Sequence, residues 1–393
     1  METTQAAAAT NVGRARSASE RIEFANTLRG LAAFVVLIAH VGVTYWYHPA
    51  IVEWLTGVPY TKTAAPKFFT ALNLTYDAIG GYGVALFFVI SGFVIPFSLE
   101  RYSVKGFLVG RLFRIWPTYW VGFACTLLSI VPGVYFMGGR VAYSARDAVL
   151  HFFPPLRALA DTTFIDAIVW TLEIELLFYV VCAMAAPLMR RGSAALLLVA
   201  PAILAVWAGV DFVASHGDPW LASRLRFFDN GAPYIVFMFC GVALNLLQRG
   251  KIALTTAAVA ILGYYGLFAA ANIWGAAQAK AELPVYAAAL ATFIVSMIAQ
   301  DWFRPHWIFR FLSDISYPLY VVHGVVGFML LTAMTRAGWD ADLATPLAAL
   351  VEFREVLDHD DPAPAPVAHL SPRQQATRHR WSQLQDEAAD TDR

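Results

Sequence analysis

Charge is what this sequence has least of. Only 14% of its 393 residues are Asp, Glu, Lys or Arg, where a soluble domain carries about a quarter. The 28 basic and 28 acidic residues cancel to a net charge of zero, which excludes bulk electrostatic attraction to nucleic acid. Cysteine is also scarce: Cys125, Cys182 and Cys240 are isolated, odd in number and set in apolar blocks. They form neither a disulfide framework nor a CxxC metal motif and read as small buried hydrophobes. No internal repeat, Walker loop, GxGxxG or GxSxG occurs.

What is there is apolar surface in long blocks. Hydrophobic residues make up 59% of the chain and the mean hydropathy is +0.56. A bilayer crossing needs about 20 apolar residues at 1.5 Å each. Blocks of that kind lie near 29–47, 82–99, 115–136, 166–188, 194–214, 231–248, 252–273, 284–300 and 314–335. A tenth begins at Leu343 with LATPLAALV and meets Glu352 and Arg354 after nine residues, too soon to span. The expected fold is therefore an all-α polytopic membrane protein, a bundle of about ten transmembrane helices, nine clear and the tenth interrupted. Residues 1–21 read as a disordered cytoplasmic segment, 22–351 as the transmembrane domain, and 352–393 as a polar tail rich in Asp, Pro, Gln and Arg that reads as disordered. The first apolar block follows Arg14, Arg16 and Arg21 and runs to Tyr47 without a small-residue cleavage site, so it reads as an uncleaved first span.

Basic residues set the orientation. With the N-terminus inside, the inner segments carry Arg14, Arg16 and Arg21, then Arg101, Lys105, Arg111 and Arg114, then Arg190, Arg191, Arg249, Lys251, Arg304 and Arg310. The outer segments mix signs, as in Arg140, Arg146 and Asp147. This bias predicts a cytoplasmic N-terminus in a multi-pass protein of a bacterial inner membrane.

The segment LRGLAAFVVLIAH, residues 28–40, carries an ionisable group near each end of an uncharged run. Eleven steps of about 100° are three turns plus about 20°, so Arg29 and His40 share one helix face, about 16 Å apart along the axis. With Arg29 at the cytoplasmic interface, His40 lies about halfway through the hydrocarbon. An imidazole there is costly unless it faces a polar cavity or a partner. Counting inward from either side brings Glu175 of WTLEIELLFY, Ser91 of GVALFFVISGFVI and His323 of ISYPLYVVHG to a similar depth. Glu173 falls nearer the outer surface on a different face. Ionisable groups at one depth in a bundle mark a buried reaction site or a transport path.

Five stretches, in order over roughly residues 22–335, resemble the acyltransferase 3 family of integral-membrane O-acyltransferases. Arg29 and His40 match the family's Arg, ten residues and His in the first span. GVALFFVISGF (83–93), FLVGRLFRIWPTYW (107–120), WTLEIELLFY (170–179) and ISYPLYVVH (315–323) match its later patterns, with Glu175 in the family's Glu position. Ala85 stands where members often carry an acidic residue. The resemblance implies transfer of an acyl group, commonly acetyl from acetyl-CoA, to a hydroxyl of a surface polysaccharide, lipid-linked sugar or similar acceptor. No permanently bound cofactor and no metal are expected; acyl-CoA is the donor substrate.

Acyl transfer from a thioester needs a base for the acceptor proton and donors for the oxyanion. His40 is the expected general base and Glu175 the carboxylate that orients it and steadies the imidazolium, as in a hydrolase triad. An ion pair to a structural Arg is the plainer reading of Glu175. Ser91 could donate to the oxyanion or, with Gly92, allow close helix packing. Tyr317, Tyr320 and His323 could line the acceptor side, relay protons or only pack. Arg111 and Arg114 share a helix face at the inner boundary and with Arg29 could grip the CoA phosphates; lipid head groups are the rival ligand. The class-level rivals are a transporter or flippase using these groups as a proton relay, and a membrane scaffold whose tail recruits a partner. With no hydrolase-like domain attached, the acceptor is reached directly or through a separate envelope-biosynthesis partner.

Overall fold

The computed structural model describes residues 23–72, 76–160, 162–217, 219–274, 283–304 and 306–360. The expected disordered N-terminus at 1–21, and residues 361–393 of the expected tail, lie outside them. The chain is all-helical among the described residues, with no strand.

The main helices are α1 (Glu23–Tyr47), α2 (Tyr76–Arg101), α3 (Val104–Met137), α4 (Val169–Met184), α5 (Val199–His216) and α6 (Pro219–Gln248). They are followed by α7 (Leu254–Trp274), α8 (Leu283–Ile298), α9 (Ser316–Val322), α10 (Val325–Arg336) and α11 (Ala341–Asp360). Six helices are long and apolar enough to cross a membrane: α1, α2 from Ala78, α3, the stretch Ala194–Val213, α6 from Gly231, and α7. The chain is a multi-pass membrane protein.

Six of the nine expected clear spans are met by these helices, and the other three blocks take shorter or bent forms. The block at 314–335 is broken: α9 and α10 meet at 55° across His323 and Gly324, a seventh crossing when the pair is counted as one span. The eighth block forms α8, of 16 residues, about 24 Å of helix and short of a hydrocarbon core of about 30 Å. The fourth forms α4, also of 16 residues, followed after Ala185 by the short helix Ala186–Arg191. The interruption expected in the tenth block is not where Glu352 and Arg354 placed it: α11 continues through both to Asp360. Glu352 is fully buried, seated at Gly327 of α10, where an added Cβ would overlap its carboxylate. Hydropathy reads such a carboxylate as an end, whereas a glycine opposite it lets the helix go on.

Burial ranks the helices. The α6 window is 89% buried and the α3 and α7 windows 22%, so α6 is central and the other two face lipid. The α2–α6 interface depends on Gly92 and Gly241. A Cβ on Gly92 would strike the Met238 carbonyl, and one on Gly241 the Val89 carbonyl, so only glycines allow the two backbones this approach. Asn245, fully buried on α6, donates from Nδ2 to the Phe93 carbonyl at 2.8 Å and ties the same pair. Edge-on rings of Phe24, Phe93 and Phe293 join α1, α2 and α8.

One end of the bundle gathers the basic residues expected inside. Arg190 donates to the Leu99 and Tyr102 carbonyls, Arg249 pairs with Glu100, and Arg310 with Glu23 at 3.2 Å. Ser103 caps α3 there, its Oγ accepting from the Gly106 N–H at 3.1 Å. At the other end, Arg336 binds the carbonyls of Met137 and Pro59, and Lys67 pairs with Asp342 at 3.6 Å.

Candidate functional site

The first helix is α-helical to Ile38 and then turns to π geometry over Ala39–Thr44. A π turn widens the ladder to i−5, and side chains here follow it: Thr44 Oγ1 donates to the Ala39 carbonyl and Trp46 Nε1 to the Val41 carbonyl, both at 3.0 Å. Such turns recur at functional sites, and His40 sits in this one. Because the helix is regular from Arg29 to Ile38, their shared phase holds up to that point.

His40 is buried, and its partner is His323, carried by the break in the ninth span. The two rings stand edge-on with centroids 4.7 Å apart, and His323 Nε2 lies 3.3 Å from His40 Nδ1. Surrounding carbonyls fix the tautomers, since a carbonyl can only accept. His40 Nδ1 lies 2.9 Å from the Val36 carbonyl, so Nδ1 carries the proton. His323 Nδ1 lies 2.7 Å from the Tyr320 carbonyl and 3.2 Å from that of Leu319, so it too is protonated. The one Nδ1–H of His40 is thus shared between the Val36 carbonyl, the nearer acceptor, and His323 Nε2, and Nε2 is the basic atom of His40. The orienting place on His40 that the triad analogy gave to a carboxylate is taken by a backbone carbonyl and a second imidazole.

Glu175 lies elsewhere, in a cavity of about 940 Å³ counting its open mouth. Its carboxylate accepts from the Tyr179 hydroxyl and from Ser91 Oγ at 3.4 Å. Arg29, Arg111, Arg114, Ser91, Tyr317 and Tyr320 line the same cavity, so seven of the nine sequence-selected residues share it. His40 and His323 are not in its lining and lie beyond Tyr320. Arg29 feels the charges of Arg114, Glu175 and Arg111 at close range. Arg111 is held by Ser98 Oγ at 2.6 Å and stacks on Phe107 and Tyr179, each 5.5 Å from the ring centre. Tyr317 donates to the Ile115 carbonyl at 2.9 Å. Ser91 and Gly92 divide their roles: the glycine packs on α6 and the serine faces the cavity. Three guanidiniums against a single carboxylate, in a cavity whose remaining wall mixes hydroxyls with apolar side chains, suit a ligand with a polyanionic head and a neutral tail.

A second polar cluster was not singled out by sequence reasoning. Arg157, on the short helix Pro154–Ala160, forms a two-pronged ion pair with Glu173, both buried. Its third nitrogen donates to the Thr162 carbonyl at 3.0 Å, and its guanidinium covers the Phe164 ring at 4.1 Å. The structural Arg partner weighed for Glu175 belongs instead to Glu173, two residues earlier on another face. Buried His151 stacks on Phe123, and its Nε2 accepts the Asp166 N–H at 3.3 Å. Asp166 Oδ1 would touch a Cβ on Gly324, so this outer segment packs against the hinge beside His323. The signal for it was the Arg–Glu pair 16 residues apart, invisible while the intervening loop was unread. Among the described residues, no group of three or more His, Cys, Asp or Glu could hold a metal ion.

Comparison with known proteins agrees with this chemistry. The sequence profile of an acyltransferase domain family matches residues 22–351. Nodulation protein 10 of Rhizobium leguminosarum bv. viciae is 27% identical over 283 residues, 65% of this chain and 73% of that protein. Exopolysaccharide production protein ExoZ of Rhizobium meliloti (strain 1021) is 34% identical over 109 residues, 27% of this chain; the match spans 34% of ExoZ's length. No solved structure matches.

Proposed function

This chain belongs to that acyltransferase family, and from this premise we propose that it is a membrane O-acyltransferase carrying an acyl group, acetyl from acetyl-CoA, to a hydroxyl of a surface polysaccharide or lipid-linked sugar. The observation that carries the reading is the cavity with Arg29, Arg111 and Arg114 at one end and the His40–His323 pair beyond the other. The arginines receive the phosphates of CoA, and the thioester points along the apolar wall toward His40. The relatives' names, exopolysaccharide production and nodulation, support a glycan acceptor. The basic segments flanking the spans support a cytoplasmic N-terminus in a bacterial inner membrane, with CoA arriving from the cytoplasm.

His40 Nε2 takes the proton of the acceptor hydroxyl as its oxygen attacks the thioester carbonyl. The Val36 carbonyl and His323 Nε2 share the Nδ1 proton of His40, which steadies the imidazolium that forms. The tetrahedral oxyanion is met by the hydroxyl donor of Ser91. Its collapse breaks the C–S bond, and the thiolate regains the proton from His40, so the reaction releases no net proton. Glu175 balances the arginine charge and, through Tyr179 and Ser91, fixes the cavity wall.

The test compares surface glycans and lipid-linked sugars of cells with and without the protein by mass spectrometry, together with CoA release by purified protein. The expected result is loss of one acetyl increment from a glycan and acceptor-dependent CoA release. Movement of a solute with no CoA release would replace the reading with a transporter.

A further inference from the structure

One side chain stands between the cavity and the histidine pair. The Tyr320 ring lines the cavity, packs edge-on to Phe87 with centroids 5.5 Å apart, and on its other side lies 5.3 Å from the ring of His323. Its hydroxyl lies 2.6 Å from Thr171 Oγ1 on α4. Thr171 directs its own proton to the Ile168 carbonyl at 2.9 Å, so Tyr320 is the donor of the shared bond and Thr171 the acceptor. Tyr320 is carried by α9, the short half of the broken span, one turn before the 55° bend at His323 and Gly324. The separation thus involves the Tyr320–Thr171 hydrogen bond and the ring contact with Phe87, on an element with a hinge beside it.

A thioester that meets a buried base and a water molecule hydrolyses. The water oxygen bonds to the carbonyl carbon, the C–S bond breaks, and the base hands the water's proton to the departing thiolate, giving a carboxylic acid and CoA. A transferase has to keep these parts apart until the acceptor is in place. Resting on the acyl-transfer reading, we propose that Tyr320, latched to Thr171 and propped by Phe87, sets specificity for the acceptor over water. The latched ring separates thioester from His40. An acceptor hydroxyl that takes over the Tyr320 O–H releases it from Thr171, and the ring turns aside on the α9 hinge.

Two variants remove the latch and keep the shape: Thr171→Val, which deletes the accepting oxygen, and Tyr320→Phe, which deletes the donor. Purified full-length protein given acetyl-CoA alone is expected to release CoA about tenfold faster in either variant than in the wild type, the population change that follows loss of one net hydrogen bond. Unchanged acceptor-independent release in both, with both variants monodisperse, overturns the proposal. So does loss of transfer in Tyr320→Phe with normal behaviour of Thr171→Val, which would make the Tyr320 hydroxyl a catalytic donor and not a partition. A measurement without acyl chemistry separates this idea from the reading it rests on. In a His40→Cys background, methyl methanethiosulfonate is expected to modify position 40 faster when Thr171→Val is added, after subtracting the reactivity of Cys125, Cys182 and Cys240. Faster modification in a protein that never releases CoA would keep the partition and discard acyl transfer. An unchanged rate in a protein that does transfer acyl groups would do the reverse.

Discussion

His40 and His323 are 283 residues apart in sequence, yet Nε2 of His323 lies 3.3 Å from Nδ1 of His40, a second acceptor for the one proton that His40 directs to the Val36 carbonyl at 2.9 Å. The order of roles follows from the carbonyls behind each ring: Val36 for the first, Tyr320 and Leu319 for the second. His40→Ala should lower acyl transfer by about 10²–10⁴-fold, the range for losing a general base. His323→Gln keeps an acceptor near His40 Nδ1 and should cost less than His323→Leu. Transfer rates of the three purified variants, each with its thermal melting curve, check the ranking.

Arg29, Arg111 and Arg114 contribute binding more than chemistry. Arg111→Ala should raise KM for acetyl-CoA by about tenfold or more, as expected for loss of a charge-assisted hydrogen bond, with kcat nearly unchanged. Donors shortened at the phosphate end of CoA should lose less from the substitution than intact CoA does. Equal losses for both donors would assign the arginines to lipid head groups.

The Arg157–Glu173 pair is buried on both sides, so removing one partner strands a charge. Glu173→Leu or Arg157→Leu should each destabilise by about 3–5 kcal/mol, while the double Leu variant should recover much of the loss. Thermal unfolding in detergent reads this directly. The double variant also tests whether the outer cover needs the charges or only the packing.

His151 lies outside the spans and gives a pH signature. Burial, followed by the neighbouring Arg157 charge, pushes its imidazole down to about 3, with Asp147 opposing weakly. A base held neutral in the fold contributes stability above its ordinary value near 6.5, and that stability is lost as pH falls toward 3. The melting temperature of the wild type should therefore drop across that window more steeply than that of His151→Gln. Equal slopes would show that His151 is not the acid-labile group.

Much of the site was legible before the fold. The phase of Arg29 and His40, the depth of Ser91, Glu175 and His323, and the paired arginines Arg111 and Arg114 all follow from helical spacing, and five of these seven side chains, all but the two histidines, line one cavity. The sequence reading went astray where spacing along one helix could not describe a contact between two. It gave His40 a carboxylate partner because a hydrolase triad has one, whereas the broken ninth span delivers an imidazole. It ended the tenth helix at Glu352 because a hydropathy window sees one strand of sequence and cannot see Gly327 making room. It left Thr171 unremarked, since a lone threonine acquires meaning only when Tyr320 arrives from 149 residues away.

The π turn at Ala39–Thr44 makes the first span unusual in its tolerance of a shortened chain. An α-helix that has taken up one surplus residue can give it back: deletion within 41–44 lets the ladder close to i−4 spacing. His40 and everything before it would keep their places. Residues from Tyr45 onward would keep their phase too, because the π turn had already taken up the surplus, and the Tyr45 hydroxyl would stay beside Thr335, now 3.0 Å away. A deletion elsewhere in the span offers no such surplus and would swing His40 or Arg29 off their common face. The surplus residue thus confines a length change to the π turn itself and leaves the Arg29-to-His40 interval as the fixed measure of the molecule.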